Sequence, residues 1–255
     1  MSTQSKNARA FIVLGASGGI GAQVASQLSA AGHELMLASR KSDRLDDLAR
    51  ELKASKRELD AVKCDEVQAC FEAASQKFGR IDGAVNCVGS LLLKPAHLTR
   101  ESEWHETINT NLTSAFATVR AAAKTMTSMG GSVVLLSSAA AKVGLANHEA
   151  IAAAKAGVVG LARSAAASYA GRSLRFNVVA PGLVKTELTK KIWENERAAA
   201  SSTAMHPLGR LGKPEEVASL IAWLLDPANS WVTGEVFSID GGLGNIQGNQ
   251  RATRG

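Results

Sequence analysis

The chain is poor in aromatic side chains, at 4%, and holds a single tyrosine, Tyr169, so chemistry that needs a phenol has one candidate. Cysteine is scarce as well. Cys64, Cys70 and Cys87 show no metal-ligand spacing and are too few for a disulfide framework, which points to free thiols in a reducing compartment. No Gly-, Pro- or Ser-rich stretch divides the 255 residues, so one domain is expected over residues 1–255. The apolar run Phe11-Ile12-Val13-Leu14 is too short for a membrane span or a leader, so no membrane association and a cytoplasmic location are expected. Basic residues give a net charge of +6 but are scattered, which argues against nucleic acid as a partner. With 45% hydrophobic and 20% charged residues, the chain has the composition of a soluble globular protein with a sizeable core.

Short apolar runs alternate with longer stretches of helical spacing. Strands are expected at Ala10–Leu14, Glu34–Ala38, Leu59–Lys63, Gly83–Asn86, Ser132–Ser137, Arg175–Val179 and Val236–Ile239. Helical patterns between the first six imply βαβ units, right-handed crossovers and helices on both faces of a parallel sheet. The expected class is α/β: a doubly wound, parallel, seven-stranded sheet of the Rossmann type in a single domain. Long helices are expected over Thr107–Met126 and Glu149–Ala170. Thr186–Gly212 is the least regular stretch and is read as a mobile lid. The tail over residues 243–255 is read as flexible or docked on a neighbouring subunit.

Leu14-Gly15-Ala16-Ser17-Gly18-Gly19-Ile20-Gly21 follows the first strand and opens the first helix. Gly15, Gly19 and Gly21 make a G-x-x-x-G-x-G turn, with Ser17 and Ile20 inside it. Such a turn lets backbone approach a pyrophosphate at the positive end of a helix. A tight strand–helix connection needs the same glycines; placement after the first strand is what favours a nucleotide. The second strand ends in Ser39-Arg40-Lys41, with no acid before Asp43. An acid there would hold a ribose 2′-hydroxyl. Arg40 instead forks onto a 2′-phosphate, with Lys41 or Ser39 assisting, which favours NADP(H) over NAD(H). The competing reading makes these two cations solvated loop charges.

Taken in order, these segments resemble the short-chain dehydrogenase/reductase family over nearly the whole chain. Asn86-Cys87-Val88-Gly89 resembles its Asn-Asn-Ala-Gly segment, Asn111 its helix-borne asparagine, and Ser138 the serine thirteen residues before its tyrosine position. Pro181-Gly182-Leu183-Val184-Lys185-Thr186 resembles Pro-Gly-x-x-x-Thr; Pro207-Leu208-Gly209-Arg210 and Asp240-Gly241-Gly242 also match. The resemblance implies a nicotinamide cofactor on Gly15, Ser17, Gly19, Ile20, Gly21, Asn86, Gly89, Lys155, Pro181 and Gly182. It puts Val184 and Thr186 toward the carboxamide and makes Asp65 an adenine-contacting acid. Asp65 fits a helix N-cap equally well. A small-molecule substrate and a homotetramer or homodimer, with the two long helices pairing across subunits, are also implied.

The departure from the family is catalytic. The resemblance implies a serine that polarises a carbonyl, a tyrosine that moves the proton, a lysine that holds the ribose and an asparagine that supports a water. Asn111, Ser138 and Lys155 match, but Ile151 stands four residues before Lys155, where the family has tyrosine. Tyr169 lies about 21 Å further along the same helix and is expected to pack rather than react. His148, seven residues before Lys155 and on the same helical face, is a better candidate acid. Enoyl reductases of the wider family carry a tyrosine at that spacing. One reading is an NADP(H)-dependent oxidoreductase acting on a carbonyl or an activated C=C, with His148 or water as proton donor. The other is a catalytically impaired NADP(H)-binding sensor or structural subunit. No metal is expected.

Overall fold

In the computed structural model, described over residues 8–246, strand β1 (Ala10–Leu14) is buried at every position. It is continuously apolar because both of its faces are covered. Phe11 and Val13 join a core with α1 (Gly19–Ala30), α2 (Asp43–Glu51) and α9 (Pro214–Leu225). Ile12 and Leu14 face the opposite core, built with α3 (Cys64–Phe78), α5 (Ser114–Thr125) and α6 (Glu149–Tyr169). Each fully buried Leu or Phe, such as Leu14 or Phe176, contributes roughly 1.5–3 kcal/mol.

The remaining strands are β2 (Glu34–Ser39), β3 (Ser55–Glu58), β4 (Gly83–Asn86), β5 (Gly131–Leu136), β6 (Leu174–Pro181) and β7 (Val236–Ile239). All pairs are parallel, in the order β3-β2-β1-β4-β5-β6-β7. The doubly wound seven-stranded Rossmann sheet is therefore as expected. Sequence order reverses between β1 and β4, and the crevice outside the carboxyl ends at that point is where such folds bind ligands.

Three expected elements are corrected. Strand β3 lies at Ser55–Glu58 rather than Leu59–Lys63. It is a polar edge strand, Ser-Lys-Arg-Glu, alternately exposed, and its charges protect the sheet edge from further pairing. The apolar signal read as a strand came from Leu59 and Ala61, which are buried in the turn that follows. The helix expected over Thr107–Met126 is α4 (Glu101–Ile108), a wide π turn at Asn109–Thr113, and then α5. There Asn111 Nδ2 and Ser114 Oγ donate to the Thr107 and Thr110 carbonyls, competing with the ordinary helical ladder. The stretch Thr186–Gly212, expected to be irregular, contains α7 (Lys190–Trp193) and α8 (Glu196–Met205), the latter capped by Asn195.

The segment Glu149–Arg172 is long and apolar enough to cross a membrane by composition alone. Its buried face, including Ala154, Val158 and Ala162, packs in the core against β6 and α5. Of the C-terminal tail, residues 243–246 are described and residues 247–255 lie outside the described part.

Candidate active site

The crevice is shaped first by glycine. Gly15 has φ +76°, and a Cβ on it would lie 2.8 Å from the Cys87 carbonyl carbon. A Cβ on Gly21 would lie 2.2 Å from the Gly15 carbonyl oxygen. The turn closes only because both side chains are missing. A Cβ on Gly19 would meet Thr186 Cγ2 at 2.9 Å, so the turn, with Ser17 and Ile20, abuts the Pro181–Thr186 loop. Helix α1 has no side-chain cap and no acid in its first turn. Its leading N–H groups and dipole are left for an anion, which fits the pyrophosphate of a dinucleotide.

Asn86 is buried at the end of β4. Its Oδ1 accepts from Val88 N–H at 2.8 Å and its Nδ2 donates to Thr118 Oγ1 at 3.0 Å, which fixes the loop to Gly89. A Cβ on Gly89 would stand 3.2 Å from Asn111 Oδ1 and 3.6 Å from Lys155 Nζ. Three elements, the β4 loop, the π turn and α6, thus converge on one point. A cavity of about 250 Å³ opens there, lined by Asn111, Ser138, His148, Ile151 and Lys155. Ile20, Gly89, Pro181, Gly182, Val184 and Thr186 line it too. Its walls are largely leucine and isoleucine, and among the described residues no Asp or Glu faces it.

The polar side chains around Lys155 have defined commitments. Ser138 Oγ accepts from Ala140 N–H at 3.1 Å, which leaves its O–H to donate. The Asn111 amide donates to Ser90 Oγ and the Thr107 carbonyl, both at 2.9 Å, and accepts from Ser90 N–H at 3.2 Å. Only one lone pair on its Oδ1 remains for a water. Lys155 Nζ donates to the Leu136 carbonyl at 2.9 Å, while the Lys155 carbonyl accepts from Ser137 Oγ at 2.8 Å. Burial pushes the Lys155 ammonium down to about 8, opposed only by the neighbouring Cys87. Burial pushes the Cys87 thiol up to about 12, so it is inert as a nucleophile. His148 is the N-cap of α6 at the cavity mouth, its Nδ1 2.7 Å from the Ala146 carbonyl. Ile151 is buried one turn before Lys155. Tyr169 lies away from the cavity and packs against Phe176, 5.9 Å between ring centroids.

The residues expected at the 2′-phosphate and the adenine stand outside the cavity. Ser39 ends β2 and donates to the Arg40 carbonyl at 2.9 Å. Arg40 and Lys41 are exposed beside it, and neither forms an ion pair among the described residues. Asp65 sits in the first turn of α3, where Lys63 is the N-cap; its side chain is 97% exposed and pairs with Arg120 at 3.4 Å. With β3 ending at Glu58, the acid just beyond that strand is Asp60, whose Oδ1 accepts from Val62 N–H at 3.2 Å.

Residues 15–244 match the family model described as enoyl-(acyl carrier protein) reductase. The 3-oxoacyl-(acyl-carrier-protein) reductase FabG of Thermotoga maritima is 36% identical over 240 residues, covering 91% of this chain and 96% of the relative. The chain belongs to the short-chain dehydrogenase/reductase family. D-threitol dehydrogenase of Mycolicibacterium smegmatis is 35% identical, with 91% of each chain covered. A solved short-chain dehydrogenase/reductase from Mycobacterium ulcerans superposes with a TM-score of 0.90 at 31% identity, covering 97% of this chain and 93% of its own. A single-substitution variant of actinorhodin polyketide ketoreductase, solved with NADPH, superposes at 0.88 and 28% identity, covering 96% of this chain and all of its own. These named relatives are oxidoreductases, and this short-chain dehydrogenase/reductase is one as well.

Sequence reasoning did not single out His206 and Ser90, which line the cavity, or Asp60, the acid that follows β3. Asp60 was hidden by the misplaced third strand. His206 and Ser90 carry no local signal for this, because the partners that tie them into the site, Leu183 and Asn111, lie 23 and 21 residues away.

The folded-state pKa of Lys155, about 8, lies below the ordinary 10.5. The folded protein therefore binds this proton less readily than the unfolded chain does. The resulting penalty is full below pH 8 and is relieved as pH rises from 8 toward 10.5. Lys155→Met is expected to raise the apo melting midpoint at pH 7, by about 2–4 °C per kcal/mol recovered, and to do so less at pH 9.5. Calorimetry at the two pH values checks this; an equal gain at both would refute it.

Proposed function

We propose that this short-chain dehydrogenase/reductase is an NADP(H)-dependent reductase whose proton donor is not a tyrosine. The observation that carries the reading is the cavity itself. Asn111, Ser138 and Lys155 line it together, while Ile151 fills the position the family gives to tyrosine. When bound, the cofactor supplies a hydride. Gly15, Gly19, Gly21 and the start of α1 would hold its pyrophosphate, with Asp60 near the adenine. Arg40, helped by Lys41, would fork onto the 2′-phosphate. Lys155, with two N–H bonds free beyond Leu136, would hold the nicotinamide ribose, and Val184 and Thr186 the carboxamide.

Ketone reduction leaves charge on one oxygen, and lacking a placed acid costs it roughly 10²–10⁴ in rate. Conjugate reduction of an enone or enoyl thioester avoids that step, because hydride reaches carbon and the charge delocalises onto an oxygen that needs donors. The Ser138 hydroxyl supplies one. The proton then comes from His148 at the mouth or from a water on Asn111 Oδ1. The acid-free, leucine-rich walls suit such a substrate. We place the protein in the cytoplasm as a homotetramer or homodimer, in which a second copy covers exposed side chains such as Phe116 on α5.

NADPH oxidation over a panel of ketones, enones and enoyl thioesters tests the reading. Turnover is expected on a conjugated substrate, lost in Lys155→Ala and reduced about 10²-fold in Ser138→Ala. Arg40→Ala is expected to weaken NADPH by roughly tenfold or more and leave NADH almost unchanged. Tight NADPH binding with no turnover anywhere would replace this reading by the nucleotide-binding one.

A further inference from the structure

His206 lies at the end of α8, 3% exposed, between two glycines. A Cβ on Gly182 would come within 2.6 Å of its Nε2, and one on Gly241 within 3.5 Å of its Cβ. Both ring nitrogens are committed, in opposite senses. Nδ1 lies 2.6 Å from the Ser202 carbonyl, an acceptor, so Nδ1 carries the hydrogen. Nε2 accepts from the Leu183 N–H at 3.1 Å. The Leu183 carbonyl is held from the other side by Gly212 N–H at 2.9 Å. One imidazole therefore ties the last turn of α8 to the middle of the Pro181–Thr186 loop.

We propose that His206 is a positioning residue, a latch that fixes this loop under α8 for the nicotinamide end of the cofactor and lets go when its ring is protonated. A second ring proton would sit on Nε2 and point at the Leu183 N–H, donor against donor, so the bond must break. Release frees Leu183 N–H and uncouples Ser202 and Met205, which roof the cavity, from its floor. The charged groups around the ring are Asp240 after β7, whose carboxylate is held by the Gly242 and Gly244 N–H groups, and the Arg210–Glu216 pair with Lys213. On the cavity side they are Lys155 and His148. The effect on the cofactor rests on the NADP(H) reading above; the latch itself does not.

The test compares wild type with His206→Gln, whose amide oxygen accepts from Leu183 at any pH, and with His206→Leu, which never accepts. Two readouts are followed from pH 7.5 to 5.5: NADPH affinity, and hydrogen exchange of the Leu183 amide corrected for its intrinsic pH dependence. Acidification should weaken NADPH about tenfold more in wild type than in His206→Gln, the scale of one buried N–H left without a partner. Leu183 exchange should rise in wild type alone, and His206→Leu should exchange fast throughout. Parallel loss of affinity in wild type and His206→Gln, with Leu183 protected in both at pH 5.5, would overturn the latch. A Leu183 switch without NADPH binding at any pH would uphold the latch and overturn the cofactor reading.

Discussion

A lysine ammonium sealed in an apolar cavity, with no carboxylate facing it among the described residues, is the constraint around which this protein is organised. Such burial is costly, and the fold offsets only part of it. The Leu136 carbonyl takes one Lys155 proton, and Ser137 grips the Lys155 backbone, so the end of β5 and the start of α6 are pinned together. A group held this way at a cost is a mark of function rather than of stability. The remaining cavity follows from that anchor. Gly89 packs closely against Asn111 and Lys155, where a Cβ would stand 3.2 Å from Asn111 Oδ1, and Asn111 itself lies in the π turn.

The second organising feature is the absence of clutter at the β1–β4 switch point. Three glycines let α1 begin against backbone, with its N-terminal N–H groups uncapped. The Pro181–Thr186 loop closes over that turn, with Gly19 against Thr186 on one side and Leu183 between His206 and Gly212 on the other. Cofactor end and substrate end of the crevice thus share one loop. The His206 ring joins the last turn of α8 to that loop.

Much of this was legible in the chain. Strand β1 is buried and apolar at every position, and β4 and β7 are short, mainly apolar runs, so all three declare their bounds, and the Gly15–Gly21 spacing declares the turn. Strand β3 did not declare itself, because an edge strand is held by backbone pairing to β2 and needs no apolar side chains; Asp60 was lost with it. The π turn was hidden because its cause is side-chain competition at Asn111 and Ser114, which helical periodicity does not encode. His206 was invisible for another reason: its partners, Leu183 and Gly241, are brought to it only by the tertiary fold. Lys155, Ser138 and Asn111 stand out in the chain because their spacing resembles a family pattern, which Ile151 interrupts, and the fold brings all four to one cavity.

The central claim is that the cavity is a working short-chain dehydrogenase/reductase site from which only the phenol is missing. Ile151→Tyr tests it most directly, with ketone reduction by NADPH measured in both proteins. The account predicts a gain of roughly 10²–10⁴ in kcat, with Lys155 beside the new hydroxyl. An unchanged or lower rate, in a folded variant that still binds NADPH, would contradict it.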